Sequence, residues 1–212
     1  MFKMFPNFWT PVLPVAEIGS VPIAVELAGE SLVLFRSSSG QFAAFHNRCP
    51  HRGAPLSPGQ VTEDGCLECP YHGWRFAPNG ACTYVPFNSL NPTHLSKLSV
   101  VTFPVRVIAG ILWIFTGTEN VPELQLPSSL LECGDRYVIH HEIWNAHWTR
   151  AIDISLDYLH IPFVHRDSFG HEFHDPTHRD ATAQINVTAT ADGMTITNRL
   201  DTLPYGVEID WH

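Results

Sequence analysis

The sequence predicts an α+β chain in two parts, an all-β N-terminal portion followed by the start of a region built from a helix and an antiparallel sheet. Three observations predict it. Short β-rich runs separated by turn signals fill Trp9 to about Gly117, one stretch of helical period follows at Ala146 to His160, and two alternating runs then flank Ala191-Asp192-Gly193.

In the first part the runs are Val21 to Leu27, Ser31 to Arg36, Phe42 to Phe45, Leu98 to Phe103 and Ile111 to Phe115. Ser37-Ser38-Ser39-Gly40 and Pro78-Asn79-Gly80 punctuate them, because Gly and Asn tolerate the backbone conformations that tight turns require. Asn120 to Pro127 carries two prolines and no periodicity, which places a domain boundary there and divides the chain into 1–120 and 121–212. Beyond it, Tyr137 to Ile143 reads as a strand. Trp148, Ile152, Leu156 and Leu159 then recur at helical spacing as one apolar stripe, and Pro162 is expected to stop that helix. Ala183 to Thr190 and Met194 to Leu200 form the expected hairpin, and a last strand begins near Val207. His212 ends the sequence with no capping or turn residue, so the expectation is a chain incomplete at its C-terminus, an unusually short protein being the alternative.

Composition narrows the function classes. With 12 Lys+Arg against 21 Asp+Glu, the formal charge is −9, and no basic run exists to neutralise phosphates; nucleic acid is not an expected partner. The longest apolar stretches, such as Ile111 to Phe115, fall far short of the roughly 18 residues that span a bilayer. Lys3 and Pro6 interrupt the apolar N-terminus, which does not read as a signal peptide. A cytoplasmic protein is expected. Its five Cys are odd in number and too sparse for a disulfide scaffold, and its thirteen His point with them toward metal ligation.

Cys49-Pro50-His51 and Cys69-Pro70-Tyr71-His72 are two short Cys/His pairs separated by seventeen residues. Each lies in a loop beside a β run, so one thiol and one imidazole from each can converge. On spacing alone a tetrahedral zinc site takes the same ligand types and stays open as a reading. The surrounding residues add more. Cys49-Pro50-His51-Arg52-Gly53 and Cys69-Pro70-Tyr71-His72-Gly73-Trp74 resemble the signature of Rieske [2Fe-2S] domains. The resemblance implies that Cys49 and Cys69 hold one iron and His51 and His72 the other, which raises the reduction potential into the range of roughly −150 to +300 mV. Rieske proteins of respiratory complexes carry an extra Cys in each loop that forms a clamp disulfide; Ala54 and Tyr71 occupy those positions here. Cys66, Cys82 and Cys133 are left as small buried hydrophobes.

On the expected helix, Asp153, Asp157 and His160 fall at i, i+4 and i+7 on one face, and His165 follows beyond Pro162. Taken alone, the pattern also suits a solvated acidic helix face followed by surface histidines. Beside a Rieske signature, the run Asp153-x3-Asp157-x2-His160-x4-His165 resembles the mononuclear-iron motif of Rieske non-haem iron aromatic-ring-hydroxylating oxygenases, specifically their α (terminal oxygenase) subunits.

That resemblance implies a helix-grip-like catalytic domain whose N-terminal part occupies 121–212, with His160 and His165 as ligands of a mononuclear Fe(II). It implies that Asp157 links a cluster imidazole of one subunit to an iron-ligating imidazole of its neighbour, with Asp153 supporting. O2 would be co-substrate, a small organic compound the substrate, and electrons would come from NAD(P)H through a reductase or ferredoxin. A homotrimer is implied as well. The family's third iron ligand, an Asp or Glu, lies far C-terminal, whereas only 47 residues follow His165. Glu172, Asp175, Asp180, Asp192, Asp201, Glu208 and Asp210 offer carboxylates, none at a matching spacing; His171, His174 and His178 read as loop histidines. A Rieske ferredoxin-like electron carrier without a working mononuclear site is the alternative.

Overall fold

A computed structural model of the chain describes residues 2–211 apart from 3–5, 89–90, 96, 118–119, 127–130, 132–138, 140–141, 158, 169, 171–181, 190–193 and 202–205. The chain falls into two compact units, residues 1–141 and 142–212.

The first unit is built around the antiparallel sheet β2-β3-β4-β9, formed by Ile23–Leu27, Glu30–Arg36, Phe42–His46 and Thr102–Phe103. Strand period explains why its centre is a continuous apolar run. Val33, Phe35, Ala43 and Phe45 enter one buried cluster while Leu32, Leu34 and Ala44 enter a second, so both faces of β3 and β4 are covered. The sheet β1-β11-β10 (Trp9–Pro14, Ile111–Phe115, Val105–Ile108) supplies Leu13, Leu112 and Ile114 to the second cluster. The sheet β5-β6-β7-β8 (Gln60–Val61, Leu67–Glu68, Arg75–Phe76, Cys82–Tyr84) supplies Leu67, Phe76 and Cys82 to the first. Phe45 and Phe76 are fully buried, each stabilising the unit by about 2 kcal/mol.

The expected turns are present: Gly40 and Gly80 take φ values of 87° and 83° and donate back to the carbonyls of Ser37 and Ala77. The run expected over Leu98 to Phe103 is a strand only at its last two residues, because Val100 N–H is committed to Gly80 O at 2.9 Å, across the turn. Among the left-over cysteines, Cys66 and Cys82 are buried thiols outside any disulfide, while Cys133 lies outside the described residues.

In the second unit a helix runs over Trp148–Leu156, capped by His147, whose Nδ1 accepts from Thr149 N–H. The sequence placed the end of this helix at Pro162; the chain instead leaves it at Asp157, which is extended (φ −85°, ψ 94°), and a second short helix covers Ile161–Val164. Two forces set the break. Asp157 Oδ1 accepts from Leu159 N–H at 3.0 Å, a local bond that competes with helix continuation. Proline fits a helix only in its first turn, where no N–H is needed, so Pro162 starts the new helix rather than ending the old one. The expected hairpin is present as β12 (Ala183–Ala189) and β13 (Met194–Leu200), in register from Ala183↔Leu200 to Ala189↔Met194, and β14 (Gly206–Trp211) pairs along β13. The strand expected over Tyr137 to Ile143 lies mostly outside the described residues.

Candidate metal centres

The two Cys/His loops of the first unit share one backbone design. Cys49 N–H donates to Ala54 O at 2.8 Å and Gly53 N–H to Cys49 O at 2.9 Å; Cys69 N–H donates to Trp74 O at 2.8 Å and Gly73 N–H to Cys69 O at 3.0 Å. Proline follows each Cys and fixes φ there. Glycine closes each loop with positive φ, 74° at Gly53 and 67° at Gly73, which an L side chain adopts only with strain. The consequence is a matched pair of loops, with Cys49 and Cys69 buried beneath and His51 and His72 exposed above.

Each loop is fastened at its base by a side chain absent from the sequence argument. Asn47 Oδ1 accepts from Leu56 and Ser57 N–H, both at 2.8 Å, while its amide donates to Ser31 and Ser57 hydroxyls. Under the second loop, Arg75 Nε lies 2.7 Å from Glu68 Oε2 between β6 and β7, and the Arg75 guanidinium covers the Tyr84 ring at 5.0 Å.

The donor chemistry suits a dinuclear group. Burial pushes the Cys49 thiol up to about 11, opposed by the His51 backbone N–H and reinforced by the neighbouring Cys69 thiol, so the Cys49 thiol ionises readily only against a cation. The His51 and His72 ring centroids are 4.7 Å apart. Desolvation, then His72 and Arg52, lower the His51 pKa and favour the neutral imidazole that ligates metal. Among the described residues, no three His, Cys, Asp or Glu converge on one point. The four side chains instead form a thiol pair and an imidazole pair, an arrangement that fits a [2Fe-2S] group better than a single tetrahedral ion.

In the second unit, His160 and His165 come together with ring centroids 5.4 Å apart and planes inclined at 61°. His160 caps the short helix at its N-terminus and His165 follows its last turn, so one helical turn sets their spacing. His165 O accepts from the backbone N–H of both Ser168 and Gly170. A Cβ on Gly170 would press into the carbonyl oxygens of Ile161 and His165, which explains glycine there. Asp157 Oδ2 lies 3.7 Å from His160 Nδ1. Asp153 is instead paired with Arg150 at 2.9 Å on the exposed helix surface. Of the spare carboxylates, Asp201 caps Thr182 N–H at 3.0 Å, and only the backbone of Glu208 and Asp210 is described. Glu172, Asp175, Asp180, Asp192, His171, His174 and His178 lie outside the described residues.

Residues 8–104 match the Rieske [2Fe-2S] domain. Over 170 residues the chain is 34% identical to the 3-chlorobenzoate-3,4-dioxygenase oxygenase subunit of Comamonas testosteroni, covering 75% of this chain and 37% of that protein. It is 33% identical over 171 residues to the 5,5'-dehydrodivanillate O-demethylase oxygenase subunit of Sphingobium, covering 78% and 40%. Among solved structures, dicamba monooxygenase bound to dicamba superimposes with a TM-score of 0.71 at 25% identity, covering 91% of this chain and 56% of that one. Pseudomonas putida CBB5 NdmA matches with a TM-score of 0.71 at 27% identity, covering 93% and 61%. The chain belongs to the Rieske oxygenase subunit family. It spans about two fifths of the length of these two curated relatives. No helix among the described residues is long and apolar enough to cross a membrane.

Proposed function

We propose that this chain is part of the terminal component of an oxygenase that hydroxylates or oxidatively demethylates a small organic, aromatic compound. The observation that carries the reading is the matched pair of loops, which sets two buried thiols under two exposed imidazoles at 4.7 Å. Cys49, His51, Cys69 and His72 would hold a [2Fe-2S] cluster, and His160 and His165 a mononuclear Fe(II). When bound, these groups supply one-electron transfer and O2 activation, respectively.

The chain's own residues account for placement and proton bookkeeping. Cys49 and Cys69 bind as thiolates, their protons released as the cation arrives. His51 and His72, standing at the surface, would be the cluster ligands most open to an incoming reductase or ferredoxin fed by NAD(P)H. Asp157 Oδ2, 3.7 Å from His160 Nδ1, faces that ring nitrogen, and a short approach would let it accept the N–H, fix the tautomer and leave the other nitrogen for metal. In a homotrimer the same carboxylate would meet a cluster imidazole of a neighbouring subunit.

A Rieske ferredoxin-like electron carrier is the second reading, favoured by one observation: no carboxylate joins His160 and His165 as a metal-holding trio among the described residues. Iron and acid-labile sulfide analysis separates the two. The oxygenase reading predicts about three irons per two sulfides, with one iron lost in His160→Ala; about two irons in both proteins would establish the carrier.

A further inference from the structure

His51 is an exposed imidazole on a surface loop, and its ring hydrogen-bonds to none of the described residues. A metal-ligating histidine ordinarily takes its orientation from a carboxylate or carbonyl on its second nitrogen. Within this chain a ring lies against the imidazole. The Trp74 indole lies parallel to the His51 imidazole, with centroids 4.5 Å apart and planes inclined by only 4°. Trp74 belongs to the other loop. Its carbonyl accepts from Cys69 N–H, and its half-buried side chain packs against the buried cluster that contains Cys49, Cys69 and Phe76.

From this stack we infer that Trp74 is a positioning residue for the cluster, holding the His51 imidazole in its ligating orientation across the two loops and shielding one face of it from water. The geometry carries three consequences. The indole is anchored by the core, so the plane it offers His51 does not move with the surface loop. The contact joins opposite loops, so the spacing between the imidazole pair depends on it. Offset aromatic packing fixes a ring's plane while leaving both ring nitrogens free, which a hydrogen bond from protein would not. Tyr71 lies against His72 at 3.9 Å and 35°, a looser arrangement without the parallel alignment.

The inference rests on the Rieske reading, and its test separates the two. Trp74→Leu removes the ring face and Trp74→Phe keeps one. In the holoprotein, Trp74→Leu should release iron to a chelator about 10-fold faster, within the 10- to 100-fold range typical when an orienting partner is lost. It should broaden the electron paramagnetic resonance lines, because the imidazole samples several orientations. Its reduction potential should rise, since added water favours the more negative reduced cluster. Trp74→Phe should stay close to wild type in all three. Wild-type lines, potential and release rate in Trp74→Leu would overturn the inference. So would a Trp74→Phe protein as labile as Trp74→Leu, or a Trp74→Leu chain that loses its circular dichroism, because the indole would then serve folding alone. Wild-type protein lacking any [2Fe-2S] spectrum would overturn the Rieske reading itself.

Discussion

Asp157 Oδ2 stands 3.7 Å from His160 Nδ1 across a break between two helices, not along the face of one. Its other oxygen is taken by Leu159 N–H at 3.0 Å. The break therefore leaves one carboxylate oxygen toward the imidazole, while half of the side chain stays exposed and open to a second partner.

Asp157→Asn keeps the shape and removes the charge, weakening the charge-assisted bonds on which a link between metal centres would depend. Both centres should be retained and stability should change by only about 0.5 kcal/mol. Single-turnover oxidation of the reduced cluster, with substrate and O2 present, should slow by about 10- to 100-fold or more. An unchanged rate would refute the linking role.

Gly170 holds the turn that carries His165. Gly170→Ala sets a methyl group against the Ile161 and His165 carbonyls and should displace the His165 ring. Titration with Co(II), followed by visible absorption, should show affinity for the mononuclear site reduced by about tenfold, while the cluster spectrum remains that of wild type. Equal Co(II) affinity in the two proteins would show that the turn does not position the ligand.

The cluster ligands were legible because their chemistry is written in local spacing: Cys49 with His51, and Cys69 with His72, each pair within one loop. The stacking of Trp74 was not, although that residue belongs to the signature and sits two residues from His72, because its partner is His51 on the other loop and only the fold brings them together. The strands β5 to β8 are two or three residues long, too short to show a period, yet they carry the second loop. The helix over Trp148–Leu156 was legible from its apolar spacing, but its end was not. Asp157 and Pro162 both signal a break, and local hydrogen bonding at Asp157 decided where it fell.

The turn between β5 and β6 is expected to respond to acid. The Thr62 hydroxyl bonded to the Asp64 carboxylate holds Asp64 below its usual carboxylate value. A carboxyl depressed in the folded state contributes stability above its unfolded value, and that contribution is lost as pH falls through the folded value. Below about pH 4 the wild-type chain should therefore lose stability more steeply than Asp64→Asn. Urea unfolding across that range checks it, and parallel curves would remove Asp64 from the acid response.

The matched loops are the centre of the account, and electron paramagnetic resonance of the dithionite-reduced chain, read beside metal analysis, tests them most directly. Two thiolates on one iron and two imidazoles on the other make the iron pair unsymmetrical, so the account predicts a Rieske-type spectrum of low average g. His51→Cys or His72→Cys should alter that spectrum and lower the potential. Folded, colourless protein carrying stoichiometric zinc and no such signal would contradict it.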